Sequence, residues 1–152
     1  AALLHGRNPV VITERKEHLF WLENAFADVK PLFVMRGGMR RKELTSILQA
    51  FSAVPEGTPR LLLATGKFLG EGFDDPRLDT LFLTMPISWK GTLAQYAGRL
   101  HRLYDRKTEV IIYDYADLKI TMTMRMFERR VAGYRAIGYR ITDDNAQYLF
   151  PE

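Results

Sequence analysis

The sequence predicts an α/β fold in which a parallel β-sheet is covered by helices on both faces, giving three layers. Short, continuous apolar runs alternate along the chain with longer amphipathic stretches. The apolar runs lack the polar alternation of a strand that is exposed on one face, which is typical of buried parallel strands. Strands that alternate with helices pair in parallel, because each helix returns the chain to the same end of the sheet. At 152 residues the chain is expected to form a single domain over 1–152.

Each element follows from one of these two patterns. Apolar runs bounded by turn residues predict five strands, at Pro9–Thr13, Pro31–Met35, Arg60–Thr65, Thr80–Met85 and Glu109–Tyr115. Leucines and aromatic residues at helical spacing predict four helices, at Glu14–Phe26, Met39–Phe51, Gly91–Leu103 and Leu118–Ile137. The stretch 139–152 is predicted to be a tail, either a short extra strand or a docked arm.

Composition narrows the functional classes. The chain has no cysteine, which excludes disulfides and cysteine-based metal sites and favours an intracellular location. No apolar run approaches the roughly 20 residues of a membrane span, and the apolar patch at the N-terminus is too short for a signal peptide. The chain does not begin with Met, which suggests a piece of a longer protein. Four basic residues and no acidic one lie between Met35 and Lys42, and such a cluster either neutralises phosphates or forms a solvated helix face.

The stretch QYAGRLHR, from Gln95 to Arg102, carries the most specific chemistry. At about 100° per residue, Gln95, Arg99 and Arg102 fall within an arc of about 60° on one helix face. The apolar residues of the same helix lie on the other side and can dock on the sheet: Leu93, Tyr96, Leu100 and Leu103. Two neighbouring guanidiniums repel each other unless an anion lies between them, and the fork of an arginine matches phosphate oxygens. The pattern is typical of phosphoryl-transfer sites, but also of an exposed basic helix with surface salt bridges.

A second stretch, ATGKFLGEGFDDP, follows a predicted buried strand. Glycines at 66, 70 and 72 allow backbone N–H groups to approach a ligand. Asp74 could accept hydrogen bonds from sugar hydroxyls. The stretch matches neither common glycine-rich phosphate-binding pattern, so a plain turn is an open alternative.

Together, the two stretches resemble the second motor domain of superfamily 2 helicases. ATGKFLGEGFD is similar to their motif V, and QYAGRLHR matches motif VI at every defining position. VVITERKEHL lies where motif IV is expected, and VMRGGMRRKE resembles the segment after the next strand. The resemblance extends from about Pro9 to Tyr115 and implies a RecA-like fold of the P-loop NTPase type.

The resemblance also implies roles for individual residues. Arg99 and Arg102 would reach the γ-phosphate across a cleft between two motor domains, with Arg102 as the principal arginine finger, and Gln95 would lie near the γ-phosphate or the attacking water. Gly72 and Asp74 would contact the nucleotide, Asp74 through the ribose. Contacts to the nucleic-acid backbone would come from Thr13, Arg15, Arg36, Gly37, Thr65 and Lys67.

The resemblance further implies that the active site is split between two domains. Neither a Walker A sequence nor a D-E-x-H or D-E-x-D motif is present here, so ATP with Mg²⁺ would be bound mainly by an N-terminal RecA-like domain of the same protein. No metal site is predicted on this chain. The Gln95-Tyr96 start of motif VI favours DNA over RNA as the substrate, and a cytoplasmic or nucleoid-associated location is expected. Two alternatives stay open: a non-catalytic nucleic-acid-binding or protein-interaction module, and an unrelated α/β nucleotide enzyme.

The remaining notable side chains are expected to be structural. Trp21 is predicted to be buried, and Trp89 either lines the cleft or caps the sheet. His101 points away from the arginine face, which indicates a structural role. Asp114 is predicted to cap a helix or to stabilise a loop. The methionines at 122, 124 and 126, with Phe127, are expected to pack a C-terminal helix onto the core.

Overall fold

The computed structural model describes residues 1–66, 68, 73–87 and 89–142. Five strands form one parallel sheet: β1 (Pro9–Thr13), β2 (Leu32–Met35), β3 (Leu61–Thr65), β4 (Thr80–Leu83) and β5 (Ile111–Asp114). Their order across the sheet is β2-β3-β1-β4-β5. In the centre, Val10 of β1 lies opposite Leu62 of β3 and Leu81 of β4. All five predicted strands are confirmed: β1 has the predicted bounds, and the other four are shorter.

Four α-helices connect or follow the strands: α1 (Lys16–Ala25), α2 (Arg41–Ala53), α3 (Ala94–Leu100) and α4 (Thr121–Ala136). A 3-10 helix, Ala2–His5, precedes β1, and a π-helical turn, Trp89–Leu93, leads into α3. The predicted helix over Gly91–Leu103 is therefore wrong at its C-terminal end, because the regular helix stops at Leu100. Leu103, predicted to dock on the sheet, is 96% exposed.

The two faces of the sheet form two apolar layers because side chains alternate along a strand. On one face, Leu19 and Leu22 of α1 pack against Val11 and Leu63. On the other face lies a larger cluster built from strands, α2, α3 and α4: Val10, Ile12, Leu62, Leu81, Phe51, Tyr96, Leu100 and Tyr134. This arrangement confirms the predicted three layers, with β1 and β3 buried along their whole length.

Two predictions of burial are wrong. Trp21 is 64% exposed, because α1 is turned so that Leu19 and Leu22 face the sheet. Met122 is 66% exposed, since it lies in the first turn of α4, and the buried residues of this helix lie nearer its C-terminal end, at Arg130, Gly133 and Tyr134.

No helix in the described part of the chain is long and apolar enough to cross a membrane. The predicted tail, 139–152, is described only as far as Thr142, and in that part Tyr139 packs against Tyr134 and His101.

Candidate nucleotide and nucleic-acid site

The carboxyl edge of the sheet gathers four of the residues predicted to contact nucleic acid. Thr13 and Thr65 end neighbouring strands and lie opposite each other. The Thr65 hydroxyl accepts a hydrogen bond from the Gly37 N–H at 3.1 Å, which joins the ends of β2 and β3. Arg15 begins the loop into α1, and its N–H faces the Thr13 hydroxyl at 3.4 Å. The sheet therefore places Thr13, Arg15, Gly37 and Thr65 side by side, as predicted.

The threonine hydroxyls at this edge already have hydrogen-bond partners within the protein. Both threonine side chains are nearly buried, and the Thr13 hydroxyl lies 2.9 Å from His18 Nδ1. Their hydroxyls are thus engaged within the protein. The side chains of Arg15 and Arg36 are exposed at this edge, so their guanidiniums are the groups available to a phosphate.

Gly66 connects the end of β3 with α3. The Tyr96 hydroxyl donates a hydrogen bond to the Gly66 carbonyl at 2.7 Å. A Cβ built on Gly66 would lie 2.6 Å from that hydroxyl oxygen and 3.0 Å from the terminal methyl of Met85, with Glu14 also in the way. Any larger residue would force these side-chain ends to move, so the start of the motif V-like stretch is packed directly against the motif VI-like helix. Burial is the main cause that raises the pKa of Tyr96 to about 12.

Asp74 is held in place by its neighbour. Asp75 is buried and forms ion pairs with Arg60 at 2.5 Å and Arg77 at 3.4 Å. Arg60 is fully buried, and its guanidinium lies over the Phe51 ring at 3.6 Å. Burial lowers the pKa of Arg60 despite its partner Asp75. Because one unpaired charge inside a protein is very costly, this cluster fixes the chain at Asp75 firmly. The sequence analysis missed it; the only signal was a charged residue directly before an apolar strand.

The two predicted arginine fingers meet the motif V-like stretch. Arg99 donates a hydrogen bond from Nη1 to the Phe73 carbonyl. Arg102 Nη2 lies 3.1 Å from Asp74 Oδ2, and the two side chains remain 62% and 40% exposed. Gln95 is exposed on the same helix. The structure therefore brings the predicted Arg99, Arg102 and Asp74 together at the surface, with Arg102 already paired to a carboxylate.

Arg102 and Asp74 lie away from the carboxyl edge of the sheet, where Thr13 and Thr65 end their strands. Helix α3 begins beyond the carboxyl end of β4 and returns along the sheet, so its last residues approach the amino end. Asp75, beside Asp74, contacts Arg60, which immediately precedes β3. Arg102 and Asp74 thus lie apart from Thr13 and Thr65, whereas Gln95 lies in the first turn of α3, next to Tyr96, whose hydroxyl reaches Gly66 at the carboxyl edge.

Lys107 completes the surroundings of Arg102 and was missed by the sequence analysis. Its Nζ donates to the carbonyls of Leu100 at 2.7 Å and Arg102 at 2.8 Å. Both carbonyls belong to the end of α3. Burial lowers the pKa of Lys107. The available signal was a lysine a few residues beyond a helix that lacks a C-terminal glycine, since such a side chain can bind the last carbonyls.

Asp114 has a different role from the predicted helix cap or loop. Arg130 of α4 donates to both of its carboxylate oxygens at 2.8 Å, and the Tyr134 hydroxyl lies 3.0 Å from one of them. Arg130 also donates to the Ile87 carbonyl at 2.7 Å, in the segment that leads to α3. This buried group joins β5, α4 and the approach to α3. The prediction failed because Asp114 lies on β5 and its partners lie on α4, and local sequence does not reveal contacts between distant elements.

The other predictions for single residues have mixed outcomes. The His101 ring contacts the Tyr139 ring at 5.3 Å, which agrees with the predicted structural role. No group of three or more potential metal ligands occurs among the described residues. Lys67, Gly72 and the side chain of Trp89 lie outside the described residues, so their predicted roles stay predictions.

Comparison with known proteins shows similarity at the level of fold. No family model matches the chain, and no curated protein sequence matches it. Among solved structures, the C-terminal part of the Fun30 ATPase domain aligns with a TM-score of 0.60 and 17% identity over 71% of this chain. S. cerevisiae Dbp5 bound to RNA and ADP BeF3 aligns with a TM-score of 0.62 and 17% identity over 90%. T4 UvsW aligns with a TM-score of 0.62 and 15% identity over 88%.

The chain has the same RecA-like fold as these three structures. This RecA-like domain spans about a third of the chains that it matches, 34%, 34% and 30% of their lengths. The predicted fold is confirmed. At such low identity the similarity concerns the fold alone, and the activity has to be argued from the residues.

Proposed function

We propose that this RecA-like domain is the C-terminal motor domain of an ATP-dependent nucleic-acid helicase or translocase. The observation that carries the proposal is the meeting of Arg99, Arg102 and Asp74 on one exposed surface. These residues come from two stretches that the sequence relates to helicase motifs V and VI. An exposed arginine–aspartate pair alone is a common surface feature, so it is the origin of these residues in the two motif-like stretches that favours a motor domain.

In the proposed mechanism, ATP with Mg²⁺ is held by an N-terminal RecA-like domain, and this chain supplies positive charge. Arg102 leaves Asp74 and stabilises the charge that develops on the γ-phosphate oxygens, while Asp74 becomes available to a ribose hydroxyl. Arg99 provides the second guanidinium, and Gln95 orients the water or a phosphate oxygen. Gly72 belongs to the same proposed nucleotide surface.

The carboxyl edge is the proposed grip on nucleic acid. Exposed Arg15 and Arg36 offer charge to backbone phosphates. The contacts of Thr13, Gly37 and Thr65 hold the loops that carry these arginines in register. Lys67 is assigned to this grip by its position in the sequence. Because Arg102 and Asp74 lie apart from Thr13 and Thr65, closing and opening of the nucleotide cleft would move this grip relative to that of the other domain.

DNA is the favoured substrate, because motif VI begins with Gln95-Tyr96. One similar structure, that of Dbp5, contains RNA, so RNA is the alternative to be compared in binding assays. A cytoplasmic or nucleoid-associated location follows from a DNA substrate.

The deciding experiment is Arg102→Ala in the full-length protein. Loss of an arginine finger reduces the rate by about 10³–10⁵, so nucleic-acid-stimulated ATP turnover should fall by that order while nucleic-acid affinity changes little. Arg106→Ala is the matched control. Arg106 is as exposed as Arg102, and its contact with Glu56 is long, at 4.0 Å. Equal turnover in the Arg102→Ala variant and the wild type would instead favour a non-catalytic module.

A further inference from the structure

Arg102 lies outside the regular part of α3. The helix ends at Leu100, and the last helical hydrogen bonds are the His101 N–H to the Ala97 carbonyl at 3.1 Å and the Arg102 N–H to the Arg99 carbonyl at 3.3 Å. The final carbonyls of a helix lack partners within the helix. The backbone at Arg102 therefore needs another contact to stay in one position.

Lys107 provides that contact. Its ammonium group bridges the carbonyls of Leu100 and Arg102. A turn closed by the Lys107 N–H and the Tyr104 carbonyl, at 2.9 Å, brings the lysine back to the helix end. A positive charge at this place also interacts favourably with the C-terminal end of the helix dipole. Arg102 is thereby held on two sides, at its carbonyl by Lys107 and at its guanidinium by Asp74.

We propose that Lys107 is a positioning residue for Arg102. By holding the Arg102 carbonyl, it sets the point from which the guanidinium extends, first to Asp74 and then to the phosphate. The proposal rests on the proposed function of Arg102 for its catalytic consequence. Its geometric part concerns this chain alone.

A purely structural role for Lys107 makes different predictions. If the lysine only stabilised the end of α3, its loss would lower the unfolding free energy but leave the reactivity of the folded protein unchanged. If it positions Arg102, turnover by the folded protein falls. The loss would also depend on the presence of Arg102, because residues that act through one another are not additive.

The test is Lys107→Met, which keeps the length of the side chain and removes its charge and donors. In the full-length protein we expect at least a tenfold fall in kcat with a KM for ATP within about twofold, and partial recovery in Lys107→Arg, which restores a donor. In an Arg102→Ala background, Lys107→Met should cause no further loss. Arg106→Met is the control, and it should match the wild type.

A second measurement is independent of ATP hydrolysis. NMR of the side-chain Nε–Hε group of Arg102 in this chain should show a distinct signal that depends on Asp74. The signal should broaden or move to the position of a solvated arginine in Lys107→Met, but not in Arg106→Met. A thermal melt shows whether each variant is folded.

The outcomes separate the two ideas. If Arg102→Ala does not reduce turnover, the proposed function is wrong, and the NMR measurement still decides the geometric part. If Arg102→Ala reduces turnover but folded Lys107→Met retains full kcat, or if the two losses add, the positioning role of Lys107 is refuted.

Discussion

At the residue scale, Gly66 shows how little space separates the two motif-like stretches. Its carbonyl accepts the Tyr96 hydroxyl, and a Cβ at this position would overlap the same hydroxyl, Glu14 and Met85. Gly98, in the middle of α3, is the opposite case. A Cβ there would meet nothing within 4 Å. The sequence alone does not distinguish the two glycines. The difference lies in the tertiary surroundings of each residue.

Gly66→Ala should destabilise the domain by about 1–3 kcal/mol, because overpacking in a tight site forces its neighbours to move. Gly98→Ala should leave stability unchanged or raise it by up to about 1 kcal/mol, because alanine is the better helix former in an open position. Urea unfolding of both variants measures the two free energies. Similar effects of the two substitutions would show that the packing around Gly66 is looser than described.

At the scale of elements, the structure is joined by buried ion pairs as well as by apolar layers. Arg130 connects α4 to the end of β5 and to the segment before α3, and Arg60 connects the start of β3 to Asp75. Both arginines have 0% exposure. The Arg130 contacts fix the segment that leads into α3, and the Arg60 contact fixes Asp75, the neighbour of Asp74. The position of the proposed nucleotide surface therefore depends on residues that are not part of it.

Arg130→Met should destabilise the domain by about 3–5 kcal/mol, because it leaves the Asp114 carboxylate buried without its main partner. Asp114→Leu combined with Arg130→Met should recover part of that loss, since no charge then remains unpaired. Denaturant unfolding compares the single and double variants, with Arg106→Met as an exposed control expected within about 0.5 kcal/mol of wild type. A double variant less stable than Arg130→Met would contradict the argument.

At the scale of the whole molecule, three buried tyrosines should lower the unfolding free energy as the pH becomes alkaline. Burial raises the pKa of Tyr96 and Tyr139 to about 12, and burial together with Asp114 raises that of Tyr134. A group with a higher pKa in the folded state keeps its proton longer there than in the unfolded chain. Its stabilising effect is complete below the unfolded value of 10.0 and is lost as the pH rises toward the folded value.

The unfolding free energy should thus fall as the pH rises from the unfolded tyrosine pKa of 10.0 to about 12. Burial lowers the pKa values of Lys107 and Arg60, which opposes this fall in part. Tyr139→Phe is the informative variant, because the Tyr139 hydroxyl is buried without a hydrogen-bond partner among the described residues. We expect the unfolding free energy of this variant to equal or exceed that of the wild type at pH 8, and to fall less between pH 8 and pH 11. An unchanged pH dependence, measured by urea unfolding, would be inconsistent with a buried Tyr139 hydroxyl.

The sequence by itself determined the layered α/β architecture and all five strands, and it singled out Arg99, Arg102 and Asp74 as candidate nucleotide residues. Apolar runs, helical spacing and residue types are local properties, so they can be recognised without coordinates. Only the tertiary structure decided that α3 stops at Leu100, that Lys107 and Asp74 hold Arg102, that Asp114 pairs with Arg130, and that Trp21 faces solvent. It also decided that Arg102 and Asp74 lie apart from Thr13 and Thr65. These features depend on which distant side chains meet across elements, and residue order along the chain does not specify those contacts directly.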